Sequence, residues 1–411
     1  MRIGIFTDAY APYISGVVTS ELMLKKALEK KGHQVYVVTI NLESFSYDYD
    51  EKERVYRIPG IPIGINELRQ SGVYPLRAIK KIKKWNLDVI HTQTEFAMGT
   101  FARVLGSQFD IPVVHTYHTM YEDYVHYVTK GYFDGISKKI VEYITKFYCD
   151  KTIQELIVPT KKTYDLFKEK YKFSRNIHVI PTGIEIERFY KEKLKKEKLN
   201  KLRESLNLKE EDVVVLSLGR ISSEKRIDFL LKNHSSLLKK NKNYKLLVVG
   251  DGPELDEYKK LVHKLKIEES VIFTGKVPWN EVPYYYGISD IFATASDSET
   301  QGLTVVEAMA ASIPVVALDD DAFRNVVIDG LCGYLFKNKK DYLNVMHKLL
   351  QDKEKRETMG NQARINSETY SSKYFAERVL DVYRLALKDK PKSKSYFARI
   401  KKAFQNGIKG K

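Results

Sequence analysis

Short apolar runs separated by amphipathic stretches recur along this chain, and the pattern ends and restarts midway. Arg2–Thr7 is brief and apolar enough for a strand buried on both faces. Val18–Lys31 follows, with apolar residues at helical spacing and a lysine-rich end. Gln34–Ile40, Asp88–Thr92, Pro112–His115 and Ile153–Val158 repeat the strand pattern with helical stretches between them. Parallel strands need long crossovers, usually helices, so this alternation predicts βαβ units and a doubly wound sheet. After Ile177–Ile180 comes the turn Pro181-Thr182-Gly183, then a Lys/Glu-rich stretch at Lys191–Lys201 that reads as a solvated helix or linker. Val213–Leu218 opens a second series, continued by Lys245–Val249, Val271–Thr274, Ile291–Thr294 and Pro314–Ala317. Helical stretches at Lys340–Leu350, Lys353–Glu368 and Ser372–Leu387 close the C-terminal half. The expectation is a Rossmann-like domain over 1–183, a second over 184–370, and a C-terminal helix with a basic tail over 371–411.

With 411 residues the chain exceeds what one core usually serves, which agrees with two domains. No stretch approaches the ~18 apolar residues of a membrane span. Met1-Arg2 runs directly into Ile3-Gly4-Ile5-Phe6, too short for a secretory signal, so a cytoplasmic location is expected. Cys149 and Cys332 share no metal or redox spacing and read as small buried hydrophobes. The net charge of +16 attracts polyanions, either nucleic acid or anionic lipid. Aromatic-basic RNA motifs, helix-turn-helix and zinc spacings are missing, which argues against nucleic acid.

In open α/β sheets ligands gather beyond the carboxyl ends of the strands, and candidate chemistry concentrates there. Glu299-Thr300-Gln301-Gly302-Leu303-Thr304-Val305-Val306-Glu307 places two carboxylates about 2.2 helical turns apart across a glycine turn that opens an apolar helix. Free N–H groups at such a helix start suit a diphosphate, and the carboxylates suit hydroxyls. Gly219-Arg220-Ile221-Ser222-Ser223-Glu224-Lys225 follows a strand directly; Arg220 can clamp phosphate and Lys225 adds a point charge, unless both are surface cations. Gly250-Asp251-Gly252-Pro253 is either a plain βα turn or a close backbone approach to a ligand. Gly16 lies in a loop opening a helix, without the GxGxxG pattern of dinucleotide binding. His118 ends a strand and is a functional candidate, whereas His91 reads as structural. Asp319-Asp320-Asp321 reads as a solvated turn rather than a metal motif.

Taken in order, Gly16, His118, Gly219-Arg220 with Glu224-Lys225, Gly250–Pro253 and Glu299–Glu307 resemble family-4 retaining glycosyltransferases over nearly the whole chain. The resemblance implies the GT-B fold, two Rossmann-like domains facing each other across a cleft. It implies that Gly16 contacts the donor diphosphate or sugar and that His118 orients sugar hydroxyls. Arg220 and Lys225 would neutralise the leaving diphosphate, Glu299 hold sugar hydroxyls and Glu307 the ribose. The amides of Gly302, Leu303 and Thr304 would touch sugar and phosphate, Gly250 would border the donor, and Lys276-Val277 would meet the base through backbone. Ser15–Ser20, His91–Phe96, Tyr124–Val128 and Glu299–Thr304 resemble more narrowly the bacterial diacylglycerol glucosyltransferases. That implies UDP-glucose or UDP-galactose as donor and diacylglycerol or a glycosyl-diacylglycerol as acceptor. The alternative is a soluble member acting on a polysaccharide or protein. Pro181-Thr182-Gly183-Ile184-Glu185 departs from relatives that carry Asn and Asp at 182 and 185. No tightly bound cofactor is expected; a divalent cation such as Mg is compatible but not indicated, since fixed cations can stabilise the leaving group.

Two segments suggest a membrane surface. Tyr74–Trp85 sets Leu76, Ile79, Ile82 and Trp85 on one face and surrounds them with Arg77, Lys80, Lys81, Lys83 and Lys84. The same face could instead pack on a sheet. Residues 388–411 carry nine Lys/Arg against one Asp, with Phe397, Ile400, Phe404 and Ile408 near helical spacing. Peripheral attachment to anionic lipid at the inner face of the cell membrane is the expectation.

Overall fold

The computed structural model describes residues 1–13, 15–62, 69–72, 75–95, 97–118, 152–297, 299 and 301–389, with backbone alone at 69–70. The motif Tyr124–Val128, Cys149 and the tail beyond 389 lie outside the described residues. The chain divides into two compact units, Met1–Gly183 with Ser372–Lys411, and Ile184–Ser371.

The first unit holds an eight-stranded sheet. Its strands are β1 (Arg2–Phe6), β2 (Gln34–Asn41), β3 (Asp48–Asp50), β4 (Val55–Pro59), β7 (Val89–Thr92), β8 (Val113–Thr116), β9 (Glu155–Val158) and β10 (Ile177–Val179). A small separate hairpin pairs β5 (Ile61–Pro62) with β6 (Arg69–Gln70). The order is β10-β9-β8-β7-β1-β2-β4-β3, parallel except for the β3–β4 pair. β1 pairs with β2 on one side and β7 on the other, so the winding reverses at β1/β7. Helices α1 (Gly16–Lys30), α2 (Leu76–Lys83) and α3 (Ala97–Phe109) make crossovers. Ile3, Ile5, Val37, Val89 and Val114 are fully buried, as a sheet covered on both faces demands.

The second unit holds a six-stranded, wholly parallel sheet. Its strands are β11 (Val213–Leu218), β12 (Tyr244–Val249), β13 (Val271–Phe273), β14 (Ile291–Thr294), β15 (Val315–Leu318) and β16 (Gly333–Phe336), ordered β13-β12-β11-β14-β15-β16. The winding reverses at β11/β14. Helix α4 (Leu303–Ala310) leads from β14 to β15 and buries Val305, Val306, Ala308 and Met309.

The last described helix, α5 (Ser372–Lys388), does not close the second unit as its sequence position suggested. Its face of Phe375, Ala376, Val379, Leu380, Val382, Tyr383 and Ala386 joins the core cluster of Ile3, Ile5, Leu24 and Leu28 in the first unit. Periodicity marked this face as apolar without saying which sheet it covers. Tyr383 also brings its hydroxyl within 2.7 Å of His91 Nδ1, and His91 Nε2 lies 2.7 Å from Thr116 Oγ1. Both ring nitrogens of this buried histidine are thereby satisfied, which confirms it as structural. Tyr383→Phe keeps the packing and strands one imidazole nitrogen, so the first unit should lose about 1–3 kcal/mol of stability. Chemical denaturation of the variant against the parent measures this.

Candidate active site

In the second unit the loops after β11 and β14 meet at the point where the winding reverses, the expected ligand position in an open α/β sheet. The fully buried Ile221 anchors the loop after β11; its N–H donates to Asp251 O at 2.9 Å. A 3-10 turn at Ser223–Lys225 then leads through Arg226, at φ 48°, into the next helix. Lys225 makes an ion pair with Glu299 across the strand ends, and both side chains are largely covered. Arg220 is exposed and lies within electrostatic reach of Glu224. Burial opposes ionisation of Glu224, yet the Ser222 hydroxyl at 2.5 Å and the cations Lys225 and Arg220 hold its carboxyl below the usual range.

Gly302, at φ 69°, starts α4 without a side-chain cap. A Cβ there would meet the Phe323 ring at 2.7 Å, so glycine is required twice over. Val305 and Val306 donate back to Gly302 O, while the N–H groups of Leu303 and Thr304 have no partner among the described residues. These amides form an anion-ready helix start next to the Lys225–Glu299 pair. Farther along α4, Glu307 Oε2 accepts from the Tyr286 hydroxyl at 2.8 Å. Burial pushes Glu307 up to about 7, against the opposing pull of Tyr286 and Arg188. Arg188 lies 3.1 Å over the exposed Trp279 ring and donates to Trp279 O at 2.8 Å. Val277 packs against the core and Lys276 is exposed.

Gly250 has a packing reason to be glycine, whatever it contacts in the donor. Its φ is 141°, and a Cβ would lie 1.8 Å from Gly219 O; at Gly252 a Cβ would lie 2.2 Å from Ile221 O. Both glycines let the turns after β11 and β12 pack together. Asp319 also departs from expectation: its carboxylate is mostly covered and binds Arg324 at 2.5 Å. Cys332 is buried, as expected. Among the described residues no group of three or more His, Cys, Asp or Glu is arranged to hold a metal ion.

In the first unit, Ser15 caps α1 by accepting from Val18 N at 3.2 Å. Gly16 follows, exposed, with nothing within 4 Å of where a Cβ would stand. Tyr117, locked edge-to-face on Phe167 at 5.0 Å, fixes the backbone before His118. His118 Nε2 sits 2.6 Å from Gln93 Oε1, and burial pushes the ring down to about 4, so it is neutral at neutral pH. His115 is structural, held between Thr92 and Glu95.

Trp85 is a core residue rather than a membrane-facing one. It is buried and stacks on Tyr36 at 4.6 Å, because the sheet edge offers aromatic partners that periodicity could not reveal. Ala78, Ile79 and Ile82 also face inward, while Leu76 is 69% exposed. Lys81 covers the Tyr49 ring at 3.5 Å and Arg77 lies 5.0 Å over Tyr47. Lys80, Lys83 and Lys84 face outward. Among the described residues no helix is long and apolar enough to cross a membrane. Tyr286, Arg188 and Trp279 carried no motif; Gln93 lay within the segment His91–Phe96 but was given no role of its own.

Residues 199–366 match the family described as "Glycosyl transferases group 1", and residues 14–188 match "Glycosyltransferase Family 4". The alpha-monoglucosyldiacylglycerol synthase of Streptococcus pneumoniae is 39% identical over 83% of this chain and 76% of its own length. The enzyme of the same name from Acholeplasma laidlawii is 36% identical over 96% of this chain and 99% of its own. Among solved structures, Anabaena HepE in complex with UDP superposes with a TM-score of 0.69 at 18% identity, covering 93% of this chain and 100% of that one. A Rickettsia africae glycosyltransferase gives 0.70 at 18% identity over 94% and 99%. These likenesses show the GT-B fold.

The raised Glu307 predicts the sign of one pH effect. A carboxyl that ionises near 4.5 unfolded and about 7 folded stabilises the fold only while protonated, so stability falls as pH rises through that window. Glu307→Gln should flatten this segment of the curve, read from denaturant midpoints across about pH 4.5 to 8.

Proposed function

Since the chain belongs to the family-4 glycosyltransferases and is a hexosyltransferase, we propose that it moves a glucosyl group from UDP-glucose to diacylglycerol, with retention, at the cytoplasmic membrane face. The observation that carries the donor half is the meeting of Lys225, Glu299 and the unpartnered α4 amides at the β11/β14 reversal. A departing pyrophosphate gains negative charge as the anomeric C–O bond breaks. Arg220, Lys225 and the Leu303 and Thr304 N–H groups supply donors where that charge develops. Glu299, paired with Lys225, accepts from sugar hydroxyls. Glu307 accepts from the ribose, and the Lys276–Val277 backbone meets the base. The acceptor hydroxyl attacks from the face the pyrophosphate leaves; its proton passes to a phosphate oxygen, the new C–O bond forms and the configuration is kept. Fixed cations fill the role a metal would take. UDP-galactose and a glycosyl-diacylglycerol are the neighbouring choices of donor and acceptor.

The acceptor half rests on the two synthases named above, which span most of this chain, and on the basic face of α2. Strands β2 and β4 end together, with Asn41 opposite Pro59, and α2 runs back from that edge of the sheet. Leu76, Phe45 at 71% exposure and Ile61 at 62% sit on the segments leaving there. Exposed apolar side chains together with the outward Lys80, Lys83 and Lys84 suit an anionic bilayer surface.

Labelled UDP-glucose with diacylglycerol in anionic mixed micelles tests the whole reading. Label in the lipid product is expected; UDP release with no lipid product, or transfer to a polysaccharide or protein instead, overturns the acceptor. Arg220→Ala and Glu299→Ala should each lower kcat about 10²–10³-fold with the fold intact by circular dichroism. Replacing Lys80, Lys83 and Lys84 together by Gln should weaken anionic-vesicle binding about 100-fold, at ~1 kcal/mol per cation, in flotation assays.

A further inference from the structure

Gln93 leaves β7 and His118 leaves β8, the neighbouring parallel strand. Gln93 is 3% exposed; its backbone N–H donates to Phe6 O at 2.9 Å, and its side chain's one hydrogen bond among the described residues joins Oε1 to His118 Nε2 at 2.6 Å. Its Nε2 has no partner there. A carboxamide oxygen only accepts, so the facing imidazole nitrogen must carry a hydrogen. The charged and titratable groups acting on His118 are Glu95, which favours its cation, and His115, which opposes it; His91 also lies within electrostatic reach. Glu95 is engaged with His115 Nε2 at 2.9 Å, and both nitrogens of His91 are taken. Burial outweighs the Glu95 pull and leaves the His118 ring with a single proton.

We propose that Gln93 is a positioning residue whose carbonyl oxygen holds His118 as the Nε2–H tautomer, so that Nδ1 offers a lone pair to a hydroxyl of the transferred sugar. The sugar contact rests on the role given to His118 above; the tautomer does not. A carboxylate at position 93 would orient the ring equally well but would draw a second proton onto it, turning Nδ1 from acceptor into donor. The neutral amide orients without charging. This explains in physical terms why an amide serves here where histidine dyads elsewhere use a carboxylate.

Histidine-ring ¹⁵N NMR on the full chain, with His118→Ala to assign the signal, reads the tautomer directly. The expected spectrum shows unprotonated Nδ1 across about pH 6 to 8. Gln93→Glu should raise the His118 titration by about 1–3 units. It should also give kcat an acid limb missing from the parent, with activity recovering as pH rises and the ring sheds its second proton. Gln93→Leu should mix the tautomers and lower kcat with no such limb, which separates orientation from charge if the buried Glu weakens the fold. An Nδ1–H tautomer in the parent, or a Gln93→Glu profile superimposable on it, overturns the proposal. The expected tautomer with unchanged kcat in both variants overturns the sugar contact and with it the role of His118, leaving the glycosyl transfer itself untouched.

Discussion

Parallel pairing makes every strand of a sheet leave at the same edge, and the chemistry of this enzyme depends on that constraint. In the second unit β11 and β14 are neighbours in space, yet 72 residues separate the last residue of one from the first of the other. Their exits bring a lysine and a glutamate into contact and set a helix start beside them. None of these groups is a strong site alone. Their value comes from a backbone geometry fixed by ladder hydrogen bonds several residues away. The same holds in the first unit, where the exits of β7 and β8 put Gln93 against His118.

Electrostatics at these edges are tuned by burial more than by formal charge. The chain carries +16, yet burial leaves neutral or near-neutral groups at the site: His118, held as the neutral ring, and Glu307, held close to its midpoint at physiological pH. Surface lysines supply long-range attraction, while the exposed Arg220 and the largely covered Lys225 act at contact range.

Much of the fold was legible because buried parallel strands are unambiguous words: Arg2–Thr7, Val213–Leu218 and Ile291–Thr294 lie within a residue of β1, β11 and β14. The site motifs were legible where a residue type is forced by chemistry, as with Gly302, whose positive φ and close Phe323 ring admit nothing larger. What was not legible was partnership. Trp85 and the apolar face of α5 showed that they would be buried somewhere, but period alone does not name the surface that covers them. The packing of Gly250 on Gly219 was not legible either, because a glycine at a strand end can serve a substrate, another loop or both. Strands β3, β4, β5, β6 and β16 also escaped; β5 and β6, at two residues each, carry too little pattern to stand above their surroundings.

The return of α5 to the first unit has a consequence for biosynthesis. The ribosome makes β1 before the second unit and α5 after it. Until α5 emerges, the surface formed by Ile3, Leu24 and Leu28 lacks the helix that seals it, even though every strand of that sheet has already been made. The second unit is continuous in the chain and can finish independently. The first unit therefore waits, partly open, while the second unit is made, and there the nascent chain is exposed to aggregation and chaperone capture.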